Sequence, residues 1–221
     1  MHSVIVENYI KTIYQLENLE GRATTSLLSE KMQVSPATAT DMMKRLADEG
    51  IVRHEPYRGV RLTGRGKKHA LKIIRRHRLW ELFLVQVLDF EWHEIHEEAE
   101  LLEHCTSEKL EARLDEYLGH PTVDPHGHAI PNSNGEIPNI EYIPLASANP
   151  GDTVRLRRVN DDSSDVLQYL SQLGIELGSD LAIVEKIAFD GTMRVRVDGG
   201  EQFISEKLAN HLFGELMKGG A

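Results

Sequence analysis

The chain has 221 residues, 40% of them hydrophobic and 27% charged, which is a globular composition and excludes wholesale disorder. Its net charge of −10 hides an asymmetry: residues 1–70 carry 11 Lys/Arg against 8 Asp/Glu, residues 71–140 carry 6 against 14, and residues 141–221 carry 8 against 13. One cysteine, Cys105, excludes a disulfide framework and a cysteine-only zinc site within one chain, and no apolar run reaches the roughly 18 residues of a membrane span.

In chain order, Val6, Tyr9, Ile10, Ile13, Tyr14 and Leu16 repeat with a helical period, and Gly21 ends that helix. A second helix starts at Thr25, with Leu27, Leu28 and Met32 on its inner side. Ser35 can cap a third, and Pro36 suits its first turn because no N–H is needed there. That helix runs toward Gly50 with Ala39, Met42, Met43 and Leu46 inward, so the pair reads as a helix-turn-helix. Ile51–His54 and Val60–Leu62 pair as strands around Pro56-Tyr57-Arg58-Gly59, a wing whose arginines include Arg58 and Arg61.

From Thr63 a long helix begins basic and turns apolar. Of the ten residues Leu79 to Leu88 only Glu81 and Gln86 are polar, so the helix must be covered on two sides, and a second copy of the chain is the expected cover for one of them. Helices are expected from about His93 to His104 and from Ser107 to Tyr117. Six of the eight prolines lie between Pro121 and Pro150 and mark a connector. Beyond it, Thr153–Arg157, Ala182–Ile187, Met193–Val197 and Gln202–Ile204 read as strands. Asp190-Gly191 and Asp198-Gly199 are turn pairs, and one helix spans about Asp165 to Leu173. A small β-barrel fits this part. The expected division is residues 1–72, residues 73–140 with the connector to about 150, and residues 151–221.

Eight of the eleven histidines lie between His69 and His128, among the acids. On a helix His96, Glu100, Glu103 and His104 converge on one face, and His77 with Glu81 forms another pair four residues apart. Carboxylates and imidazoles without thiolate suit Mn(II), Fe(II), Co(II) or Zn(II). Glu97 and Glu98 read as a solvated face, as do His120, His128 and His211. Cys105 stands about 100° around the helix from His104 and reads as a packing residue.

The helix-turn-helix and wing, Arg76-His77-Arg78-Leu79, the stretch from His96 to His104, Asp124-Pro125-His126-Gly127 and Ile130-Pro131 together resemble the diphtheria toxin repressor family. These are bacterial metal-dependent transcriptional repressors. The resemblance covers essentially the whole chain. It implies an α+β protein: a winged helix-turn-helix, an all-helical dimerisation and metal-binding domain, and an SH3-like β-barrel. It also implies a primary metal site at Asn8, His77, Glu100, Glu103 and His104. Glu100 stands where iron-type members have cysteine, which resembles the manganese branch. Asn8 departs from the aspartate of that branch, and Lys11 departs from a glutamate used there for a second, bridged ion. One primary ion is therefore expected. A second site is implied at Glu81, Asp124, His126 and either Asp161 or Asp162, with His96 in reserve.

The expected function is a homodimeric repressor that binds operator DNA when Mn(II), or Fe(II), is bound and represses metal-uptake genes. The recognition helix opens with Ser35, Pro36, Ala37, Thr38 and Thr40. Methyl contacts suit Pro36 and Ala37, while phosphate contacts suit Thr38, Thr40, Lys44, Arg58 and Arg61. No basic-then-apolar leader precedes Glu7, so the expected location is the cytoplasm. A Glu/His metallohydrolase would need an open metal position and a general base, and Trp92-His93-Glu94-Ile95-His96 has the wrong spacing for it. A regulator responding to an organic ligand would keep operator binding in the presence of a chelator.

Overall fold

The Ser35 hydroxyl accepts the Thr38 N–H at 3.1 Å and Pro36 follows it, so local chemistry alone starts the recognition helix. A computed structural model describes residues 3–55, 59–160 and 164–217. The chain divides into two units, each drawn from separate stretches. One holds Met1–His77, Leu101–Glu111 and Pro131–Ile137; the other holds Arg78–Glu100, Ala112–Ile130 and Pro138–Ala221.

In the first unit, α1 (Val4–Glu20) ends on Gly21 in the left-handed conformation. Then come α2 (Thr25–Lys31), α3 (Pro36–Asp48) and an antiparallel hairpin of β1 (Val52–Glu55) and β2 (Gly59–Leu62). Val6, Tyr9, Ile10 and Ile13 of α1 share a buried core with Leu28, Ala39, Met43, Leu46, Ile51 and Val60. Full burial of each large side chain contributes about 1.5–3 kcal/mol, so α1 and α3 are fixed to one another by apolar contact. The hairpin is pinned too. The Val60 N–H donates to Ala23 O at 3.0 Å. A Cβ on Gly59, whose φ is +85°, would come within 2.2 Å of that oxygen.

Helix α4 (Gly64–Leu88) contributes its first half to this unit, with the end of α5 (Ile95–Cys105) and the start of α6 (Glu108–Tyr117). Arg75 donates to Pro131 O at 2.6 Å, and Arg76 donates to Glu111 at 2.8 Å. The helix expected from His93 starts at Ile95, which leaves His93 before it.

In the second unit, Leu79 and Leu82 of α4 pack with Leu114 and Ile130, and Leu84 packs with Ile95 and Ala99. A six-stranded antiparallel sheet follows: β3 (Ile143–Pro144), β4 (Thr153–Val159), β5 (Asp180–Lys186), β6 (Met193–Val197), β7 (Gly200–Ile204) and β8 (Leu212–Leu216). The order is β3-β8-β4-β5-β6-β7. β3 and β7 stand at opposite ends of the ladder, so the expected barrel is an open SH3-like sheet. A bulge after Leu156 spends one extra residue, which lets Val154, Leu156 and Val159 all point inward. Asp198 and Gly199, at φ 47° and 83°, make the expected two-residue turn between β6 and β7. Helices α7 (Ser164–Gln172) and α8 (Glu206–Ala209) complete the unit.

Candidate metal centre

In the first unit, α1, α4 and α5 converge on one buried carboxylate. Glu103 is 1% exposed. Its Oε1 lies 2.7 Å from Lys11 Nζ, and its Oε2 lies 2.6 Å from His77 Nδ1. Glu7, also buried, accepts from His104 Nδ1 at 2.7 Å and faces His69 Nε2 at 3.8 Å. Burial would raise the Glu7 carboxyl, but the hydrogen bonds and charges of His69 and His104 outweigh it and hold the carboxyl below the ordinary carboxylate value.

One buried atom of this cluster, His104 Nε2, makes no hydrogen bond, and on α1 the buried Asn8 Oδ1 makes none either. His104 Nε2 is 3.3 Å from Glu103 Oε1, at an angle that makes no hydrogen bond. With Nδ1–H given to Glu7, Nε2 of a neutral ring bears a lone pair. An unsatisfied buried acceptor costs about 1–3 kcal/mol. An amide oxygen and, beside a carboxylate, an imidazole nitrogen left in this state are fitting donor types for a divalent cation. Glu100, one turn earlier on α5, falls in the other unit.

A second cluster lies in the other unit. Glu81, 3% exposed, has its Oε1 3.6 Å from His96 Nδ1 and 3.9 Å from His126 Nδ1. His96 Nε2 faces Glu100 at 3.8 Å. His126 Nε2 donates to Trp92 O at 2.8 Å, so its Nδ1 is the lone-pair nitrogen. Asp124 is engaged inward: its Oδ1 accepts the N–H groups of His126 and His128 at 2.8 and 2.9 Å, and its Oδ2 faces Arg78 at 3.3 Å and His128 at 3.5 Å. Burial would raise the Asp124 carboxyl, but His128 and Arg78 outweigh it and leave it below its ordinary value. Gly127 makes this loop possible, since a Cβ there would sit 1.9 Å from Arg157 O on β4.

Asp161 and Asp162 lie outside the described residues. We expect His126→Ala to lower the number of Mn²⁺ ions bound per chain by one. A calorimetric count equal to that of the wild type would make the loop purely structural.

Among the candidate DNA contacts, Ser35, Pro36, Ala37, Thr38, Lys44 and Arg61 are exposed. The Thr40 hydroxyl donates to Pro36 O at 2.8 Å and is spent inside the helix. Arg58 lies outside the described residues.

Family models match in the same order as these features. An iron-dependent repressor N-terminal DNA-binding domain covers residues 2–60, an iron-dependent repressor metal-binding and dimerisation domain covers residues 63–132, and a FeoA domain covers residues 143–216. The iron-dependent repressor IdeR of Mycobacterium leprae is 31% identical over 187 residues, which is 85% of this chain and 79% of that protein. The chain belongs to the iron-dependent repressor family. Within the family, the diphtheria toxin repressor of Corynebacterium diphtheriae is 27% identical over 92% of this chain and 93% of its own length. A solved manganese-dependent transcriptional repressor in complex with manganese is 34% identical with a TM-score of 0.87, covering 96% of this chain and 100% of that one.

Three expectations need correction. His128 is not a solvated histidine: it is part-buried, pairs with Asp124, and has Nε2 3.2 Å from Asn160 Oδ1. The His211 ring bonds Asn160 O at 2.9 Å. Cys105 is exposed, so it neither packs nor joins the cluster. Sequence reasoning also missed Glu7 and His69. Glu7 and Lys11 are opposite charges four residues apart, the spacing of an ordinary surface pair; only their burial sets them apart.

Proposed function

We propose that this chain is a homodimeric repressor that binds operator DNA in response to Mn(II), with Fe(II), Co(II) or Zn(II) as lesser activators. The observation that carries this reading is the pair of unsatisfied buried acceptors, Asn8 Oδ1 and His104 Nε2, with one of them on α1. That helix also forms the core of the winged helix-turn-helix through Val6, Tyr9, Ile10 and Ile13. The primary ligands are Asn8, His77, Glu100, Glu103 and His104, and the second set is Glu81, Asp124, His126 and either Asp161 or Asp162, with His96 in reserve. Nitrogen and oxygen donors without thiolate suit Mn(II), Fe(II), Co(II) or Zn(II), and Glu100 in place of the cysteine of iron-type members puts Mn(II) first.

A divalent ion, when bound, would supply two positive charges to these acid, amide and imidazole donors. Asn8 would then hold α1, and α1 would carry α3 with it because they share one core. In a dimer this fixes the separation of two recognition helices, and half-sites about one helical turn apart demand a fixed separation. By linkage, operator DNA tightens ion binding by the same factor. The proposed division of labour places DNA binding in residues 1–72, dimerisation and ion binding in residues 73–140, and a docking role in residues 151–221. No described helix is long and apolar enough to cross a membrane, and the proposed location is the cytoplasm.

Titrating operator binding with Mn²⁺, Fe²⁺ and Zn²⁺, then adding a chelator, tests the proposal. Binding that survives chelation overturns it and favours an organic effector. On the DNA side, Lys44 and Arg61 are exposed, with acid partners no closer than 3.5 Å. Replacing either by alanine should weaken binding to all sequences alike and reduce the slope of log affinity against log salt by about 1. An unchanged slope removes that residue from the interface.

A further inference from the structure

Within the metal-activated reading, the buried contacts of His104 carry one step more. A histidine that ligates through one nitrogen needs its other nitrogen held, because that second bond fixes both the tautomer and the ring orientation. His104 Nδ1 is 2.7 Å from Glu7 Oε2, while Nε2 is buried, makes no hydrogen bond, and faces Glu103 Oε1 at 3.3 Å. The His104 side chain is 4% exposed and that of Glu7 is 9% exposed, so water does not compete for this bond. The other Glu7 oxygen faces His69 Nε2 at 3.8 Å. Glu7 is thus held between a histidine of α4 and a histidine of α5, next in sequence to Asn8.

We infer that Glu7 is the positioning residue of the primary site: its carboxylate keeps the proton of neutral His104 on Nδ1 and aims Nε2 at the ion. Glu7 does not ligate, since its oxygens are turned to two imidazoles. The ionised carboxylate also makes the ring a better donor, because partial negative charge at Nδ1–H raises the basicity of Nε2. Loss of such a partner lowers metal affinity by about 10–100-fold. The role differs from that of the five proposed ligands, and it assigns a function to an acid that helical spacing presents as a surface residue.

Two readouts on the full chain test this. In the metal-free wild type, ring ¹⁵N shifts of His104 at a pH where the ring is neutral should show Nδ1 protonated and Nε2 bare. Glu7→Gln, which keeps the shape and removes the charge, should mix the tautomers and lower Mn²⁺ affinity by 10–100-fold in calorimetry, while melting in chelator confirms that it folds. A His104 proton on Nε2 in the wild type overturns the proposal. So does an unchanged Mn²⁺ affinity for Glu7→Gln beside a wild type that binds. A wild type that binds no Mn²⁺ overturns the metal reading itself, and the role of Glu7 with it.

Discussion

His104→Ala should abolish metal-stimulated operator binding while leaving a folded chain. Coupling between an effector and its linked site amounts to about 1–3 kcal/mol, or 5–150-fold in affinity, and the variant should show none of it. His104 is the cleaner target because its removal orphans little: Glu7 keeps His69 beside it. Glu103→Ala is not an equivalent test. It would take the carboxylate away from the buried Lys11 ammonium and the His77 ring, both of which face it. Removing one member of a buried pair costs about 3–5 kcal/mol, so loss of binding would be confounded with loss of fold. Mobility shift on operator DNA with and without Mn²⁺, alongside melting in chelator, decides the case. A His104→Ala protein that still responds to Mn²⁺ as the wild type does would remove this residue from the coordination shell.

Lys11→Met should have the second large effect, destabilising the metal-free state far more than the metal-bound one. The Lys11 and Glu103 side chains are 8% and 0% exposed, and the ion pair joins α1 to α5 without any metal. Cutting it leaves Glu103 under-compensated in the metal-free chain, where about 3 kcal/mol of stability should be lost. A bound divalent cation restores that compensation, so the holo state loses much less. The difference appears as tighter ion binding, up to about a hundredfold, since each 1.4 kcal/mol is a factor of ten. Repulsion among the acids does not reverse this, because His77 still donates to Glu103 Oε2. Thermal unfolding in chelator and in Mn²⁺ measures both halves. An unchanged chelator melting point would show that the ion pair contributes nothing.

The same two residues show where sequence reading stops. A strand was missed for a related reason: β8 (Leu212–Leu216) lies between β3 and β4 in the sheet, yet it is short and contains Gly214 and Glu215. Its pairing with distant segments makes it a strand, and no local pattern reports that. Metal-ligand candidates were legible wherever they shared a helix, as Glu100, Glu103 and His104 do, because a period of 3.6 residues fixes their common face. Asn8 and the second-site loop came through resemblance to a family and not from any spacing.

By itself the sequence determined the helices of the first half and most strands of the second, with their order: the Ser35-Pro36 start of α3, the Gly21 stop of α1, the Asp198-Gly199 turn, and the acid-and-imidazole donor set. Each of these is decided within a few residues by capping, allowed dihedrals or helical period. Only the tertiary structure decided that Lys11 and Glu7 are buried, that Glu103 takes Lys11 as its partner, that His104 spends Nδ1 on Glu7, and that Asp124 turns both oxygens inward. Those outcomes depend on which distant groups share a water-poor space. There an unpaired charge or lone pair is expensive, so the partner, more than the residue type, sets what each side chain can do.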